Sequence, residues 1–147
     1  MKHFIQLSTI ILLFLSTAMV WTSCSDDADD YEWVENALVG TWRTEATTSA
    51  DPYAVVQHVF TFTRDASGIP GALSHYTMAD VLANGNIVVT EQGTAGHPNG
   101  QSANVWALHN TKNGGEKEVT IIFLNKERTQ MRFESKFYIV KDVFHKQ

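Results

Sequence analysis

The feature that most limits what this chain can fold into is a succession of short apolar or alternating segments, each stopped by turn residues, with no long stretch of helical period. Residues two apart share one face of a strand, so alternation between turn signals builds half-buried strands rather than helices. Leu38 to Thr44 leads in and breaks near Asp51-Pro52. Val55 to Thr63, rich in β-branched and aromatic residues, stops at Asp65 to Gly68 and Pro70-Gly71. Leu73 to Leu82 and Asn86 to Glu91 flank Asn84-Gly85, a tight-hairpin signal. A loop rich in Gly and Asn is expected from Gly93 to Gly100, then strands over Ala103 to His109, Val119 to Leu124, Thr129 to Phe133 and Phe137 to Phe144. That is about eight strands at the spacing of an all-β meander, barrel or sandwich. Neighbours in sequence can pair as hairpins, and no helical crossover is required.

The first part of the chain has a different character. Lys2 forms a short positive region, and Phe4 to Trp21 is mostly apolar, densest from Ile10 to Leu15. Polar interruptions leave it short of the roughly 20 apolar residues a spanning helix needs. It has the build of a cleavable targeting segment. Small residues Thr22 and Ser23 then precede Cys24, the only cysteine, so no disulfide can form within the chain. Val20-Trp21-Thr22-Ser23-Cys24 resembles the lipobox of bacterial lipoproteins, with Trp21 where Leu, Val or Ile is usual. The resemblance implies cleavage before Cys24 and lipid on its thiol. The alternative is a plain signal peptide cut near Ala18, leaving a free thiol.

Charge follows the same division. Of 16 acidic residues, six (Asp26, Asp27, Asp29, Asp30, Glu32 and Glu35) precede Leu38. From Leu38 to Gln147 there are ten acids and ten bases, so the acidity belongs to the segment behind Cys24. No basic block exists to meet a phosphate backbone, and nucleic-acid binding is not expected. Ser25-Asp26-Asp27-Ala28-Asp29-Asp30 resembles the acidic export signal of surface lipoproteins of the Bacteroidetes. It implies display on the outer membrane surface; a solvated linker on the periplasmic face is the alternative. The expected organisation is a signal peptide over 1–23, a lipidated acidic tether over 24–37 and a β domain over 38–147.

Leu38-Val39-Gly40-Thr41-Trp42 opens that domain. It is similar to the Gly-x-Trp opening of the lipocalin or calycin group, in the short form found in Bacteroidetes lipoproteins. The resemblance implies an antiparallel up-and-down barrel of about eight strands with Trp42 plugging one end. In that group a late arginine lies over the opening tryptophan. Arg132 is the nearest candidate here, beside Lys136 and Lys141 in the last expected strand. Avidin-type barrels also open with Gly-Thr-Trp, but their biotin-contacting aromatic pattern is not recoverable in this chain.

The chemistry in the sequence is sparse. His58, His75, His97, His109 and His145 do not pair at metal-binding spacings, and no nucleophile elbow or phosphate loop occurs. No catalytic residue, metal or cofactor is expected, and the chain reads as a non-enzyme. What remains is recognition. His58, Phe60 and Phe62 share one strand face, Tyr76 and Met78 another, and Trp106 lies on a later strand. If those faces point inward, His58, Phe60, Tyr76 and Trp106 line an apolar site with one orienting polar group. The same alternation describes a filled core. Two functions follow: a barrel binding a small apolar or amphipathic ligand, or a solid barrel whose loops contact a surface protein or glycan.

Overall fold

The computed structural model describes residues 27–64, 74–98, 100–135 and 142–147. Cys24 and the segment expected to act in targeting lie outside them. Among the described residues no helix is long and apolar enough to cross a membrane. Among the described residues one helix, α1 (Asp27–Leu38), precedes eight strands: β1 (Gly40–Arg43), β2 (Val55–Thr63), β3 (Ser74–Leu82), β4 (Ile87–Gly96), β5 (Val105–Asn110), β6 (Glu116–Phe123), β7 (Gln130–Glu134) and β8 (Phe144–Lys146). Each strand pairs antiparallel with the next, and β8 returns to β1 through Trp42↔Lys146 and Arg43↔His145. The architecture is therefore a closed, lipocalin-like up-and-down barrel, and a two-sheet sandwich is ruled out. The Asn84-Gly85 turn forms as expected, closed by Gly85 N–H to the Leu82 carbonyl at 2.8 Å.

Alternation does the sorting. Trp42, Phe60, Phe62, Tyr76, Trp106, Leu108, Val119, Ile121, Met131, Phe133 and Phe144 form one interior cluster, joined by Val34 and Leu38 from α1. Their rings meet at angles: Phe60 to Phe133 at 4.8 Å, Phe133 to Phe144 at 5.2 Å, Phe62 to Trp106 at 5.3 Å. Tilted and edge-to-face contacts of this kind suit the ring quadrupole.

Two expected boundaries move. β4 continues through Gly93 to Gly96, where a loop was expected. The reason is a close approach. Gly93 faces Asn110, and a β-carbon there would overlap the His109 carbonyl. Glycine at this position is a packing requirement rather than a turn signal. The other shift is at the C-terminus, where β8 covers Phe144–Lys146. The expected strand over Phe137 to Phe144 falls largely on 136–141, outside the described residues.

The larger departure is α1. The segment expected to be a tether over 24–37 enters the fold well before Leu38. Val34 and Leu38, one helical turn apart, bury against the barrel, and Glu35 beside them has no exposed surface. Buried carboxylates need partners, and among the described residues Ser74 Oγ donates to Glu35 at 3.0 Å and Arg64 Nη2 at 3.2 Å. Below the helix, Trp42 is fully buried and its indole N–H donates to the Leu38 carbonyl at 2.8 Å.

The Ala37 carbonyl in the last turn of α1 finds its partner far away in sequence. No basic residue lies in its last turn. Instead Lys146, from the closing strand, donates to the Ala37 carbonyl at 2.7 Å and sets its ammonium 5.4 Å from the Trp42 ring. A cation at a helix C-terminus is favourable there, and the ring face adds to it. Gly40 lets this happen. It holds φ at +130°, and a β-carbon on it would sit 3.3 Å from the Lys146 stem. The expected basic residue over Trp42 is thus Lys146, not Arg132. Arg132 lies between Met131 and Phe133, which face the core, so alternation turns it outward to an exposed pair with Glu134 at 2.8 Å.

Candidate functional site

The described residues leave the end away from α1 open. A cavity of about 590 Å³ occupies it, with Phe60, Val119, Phe133 and Phe144 in its wall. Polar groups cluster near them. Glu91 is held on both oxygens: the Tyr76 hydroxyl donates to Oε1 and the Lys117 ammonium to Oε2, the latter at 2.6 Å. Lys117 Nζ also lies 3.9 Å from Met78 Sδ. Burial pushes the Tyr76 phenol above the usual tyrosine range, and the hydrogen bond and charge of Glu91 push it further. Tyr76 therefore stays a neutral donor at any ordinary pH. Glu91 and Lys117 are largely shielded from solvent, so the pair is less screened than a surface ion pair.

The lip carries a second cluster. His58 Nδ1 meets Asp80 Oδ1 at 2.7 Å, and its Nε2 stands 3.9 Å from Asp142 Oδ2. His58 is half exposed. A more open depression of about 610 Å³ shares His58 and Asp142 with the mouth and runs toward Thr44, Gln57 and His145. Its lining has no aromatic carbocycle, so the mouth cavity is the better-built receptor.

The four residues expected to line a site separate. Phe60 is in the wall and His58 at the lip of the mouth cavity. Tyr76 stands behind Glu91, 6.5 Å from Phe60, and reaches the cavity through that carboxylate. Trp106 does not take part. It packs on Phe62 and lies 6.2 Å from His97, and its indole N–H donates to the Ala103 carbonyl at 3.1 Å. The two halves of the interior were read as one, because alternation gives the face of a residue and not its depth in the barrel.

Four charged residues of the mouth are not singled out by the sequence: Asp80, Glu91, Lys117 and Asp142. Asp80 was within reach, since it continues the Tyr76, Met78 face of β3. Lys117 lies two and four residues before Val119 and Ile121 on β6, and the strand was expected to begin only at Val119. Glu91 was hidden by a bulge: Met78 pairs with Glu91 but Ala79 pairs with Val89, leaving Thr90 extra. One extra residue reverses the facing of everything beyond it.

Comparison with protein-family models, with curated proteins and with solved structures finds no match for the chain.

Proposed function

We propose that this protein is an outer-membrane lipoprotein, anchored through lipid on Cys24, whose lipocalin-like barrel binds a small apolar or amphipathic ligand in its open mouth. One observation carries the binding reading: a cavity of about 590 Å³ combines an aromatic wall with fixed polar groups. Ligand sites usually span roughly 300–1,000 Å³ and have this makeup. Native mass spectrometry of the lipoprotein purified from its own host tests it. A bound small molecule that survives mild desolvation and leaves on unfolding is the expected result. Repeated isolation of ligand-free protein counts against it.

The address rests on the sequence alone. Cys24→Ala is expected to release the protein from the membrane fraction, since anchoring depends on acyl chains. Replacing Asp26, Asp27, Asp29 and Asp30 by alanine is expected to leave it lipidated but hidden from protease added to intact cells. Asp27, Asp29 and Asp30 lie in the first turns of α1, so the variant also needs a check that the barrel is folded.

A second reading, a surface interaction module, is favoured by β4. From Ile87 to Glu91 this strand pairs with β3, and its pairing with β5 begins only at Gly93. Ile87, Val88 and Val89 are exposed along that stretch. An exposed apolar strand edge is a place where another extended chain can add.

A further inference from the structure

We infer that the mouth cavity selects a cationic amphiphile: an amine or similar cation joined to an apolar body, with the cation held by Asp142 and Asp80 at the lip and the body against Phe60, Phe133 and Phe144. The inference rests on the ligand-binding reading above and narrows it to a chemical class. Among the described residues, three carboxylates (Asp80, Glu91 and Asp142) and one ammonium (Lys117) face the cavity, with His58 between two of the carboxylates. Lys117 and Glu91 neutralise each other at 2.6 Å. That leaves Asp80 and Asp142 sharing a single imidazole, so the described residues of the lip are net negative whether the ring is neutral or protonated.

The geometry favours the same sign. Asp142 is more than half exposed and its contact with His58, at 3.9 Å, is longer than a hydrogen bond. It can take a ligand cation without losing a bond it already makes. Below the lip, the Phe133 ring lies 4.8 Å from that of Phe60 and 5.2 Å from that of Phe144, both edge-on. An aromatic wall receives a cation or its attached methylenes equally well. A ligand carboxylate would find the opposite: its best cation already taken by Glu91, and two further carboxylates at the entrance.

Three probes with one apolar body separate the possibilities: phenylbutylamine, phenylbutanol and phenylbutyrate, titrated calorimetrically into the full-length lipoprotein in nanodiscs, with empty nanodiscs as the blank. The amine is expected to bind about tenfold more tightly than the alcohol, and the butyrate most weakly. Asp142→Asn, a change at an exposed position, is expected to weaken the amine about threefold to fivefold and leave the alcohol unchanged. Butyrate binding as tightly as the amine overturns the charge selection while the cavity remains a ligand site. An amine preference that survives both Asp142→Asn and Asp80→Asn also overturns it, since the cation then sits elsewhere. If none of the three binds above the blank, the mouth is not a small-molecule site and both readings fall.

Discussion

The two ends of the barrel are built from similar residues to opposite purposes. At the helix end the described polar side chains are largely spent on other parts of the chain: Glu35 on Ser74 and Arg64, Lys146 on the Ala37 carbonyl, the Trp42 indole on Leu38. At the mouth, aromatic rings border a cavity, and Asp142 keeps a carboxylate with no close hydrogen bond to His58. The helix end resembles a finished core, with large side chains interlocked and polar atoms matched except for Arg64 Nε, which is buried without a hydrogen-bond partner among the described residues. The mouth leaves matching incomplete where something else can enter. Stability should therefore concentrate at one end and recognition at the other, and substitutions can be chosen to break that division.

The largest effect is expected at Trp42. It is fully buried under α1, 6.2 Å from Phe123, with Lys146 over its ring. Trp42→Ala removes the indole and the hydrogen bond to Leu38, and should cost about 3–5 kcal/mol in denaturant unfolding. A loss below about 1 kcal/mol would mean that the helix end is not the chief source of stability.

Glu35→Ala comes next. It leaves Ser74 Oγ and one face of Arg64 without their acceptor, and opens a small void beneath α1. Arg64 is partly exposed and can be rehydrated, which limits the loss to about 1–3 kcal/mol. Proteolysis should become faster in α1 before it does in the strands, because this carboxylate is a main anchor of the helix beside Val34 and Leu38. Simultaneous loss of protection in helix and barrel would show that α1 is part of one cooperative unit.

Lys146→Met is a smaller change with a distinct signature. The methionine keeps an apolar stem over Trp42 but uncaps the Ala37 carbonyl, for a loss of about 0.5–1.5 kcal/mol at neutral pH. Burial pushes the Lys146 pKa below the ordinary 10.5. The unfolded chain then binds more protons than the folded one between the two values, so this group's contribution to stability rises with pH in that window. It is fully present above the unfolded value and lost as pH falls through the folded one. The stability gap between wild type and Lys146→Met should widen from neutral toward pH 10.5; a constant gap would show that the folded and unfolded values coincide.

These residues also show how much was legible in advance. The barrel was: repeated short strands, Asn84-Gly85 and the Gly40, Trp42 opening are local signals, and an up-and-down barrel joins neighbours in sequence. The docking of α1 was not. Its acidic composition reads as a solvated tether, and only the fold reveals that Glu35 meets Arg64 and Ser74, 29 and 39 residues away. Lys146 shares Phe144's face, but nothing local says that this face crosses to Trp42 at the closure of the sheet. Arg132 could have been rejected, since its neighbours Met131 and Phe133 already claim the interior. At the mouth, parity found Phe60 and His58 but could not separate the depth of Trp106 from that of Phe60. The Thr90 bulge concealed Glu91, and with it the role of the Tyr76 hydroxyl.

Tyr76→Phe tests the comparison most finely, because it changes one atom at the boundary between packed interior and mouth. The ring stays, stacked near Phe60, so no cavity opens beneath it. The lost hydroxyl leaves Glu91 with Lys117 as its partner, and Glu91 borders the mouth cavity, from which water can replace the missing donor. The stability change should be the smallest of the four, about 0.5 kcal/mol. Binding should respond more. With Tyr76 no longer fixing one oxygen, the Glu91–Lys117 pair is freer to turn, and affinity for a ligand in the cavity should fall several-fold. Closed-end variants should do the reverse, lowering the melting temperature while each folded molecule binds as before. Calorimetric titration beside thermal unfolding, on the same preparations, separates these patterns. If Tyr76→Phe lowers the melting temperature as far as Glu35→Ala does and leaves affinity untouched, Tyr76 belongs to the stabilising core and the boundary lies higher in the barrel than Glu91.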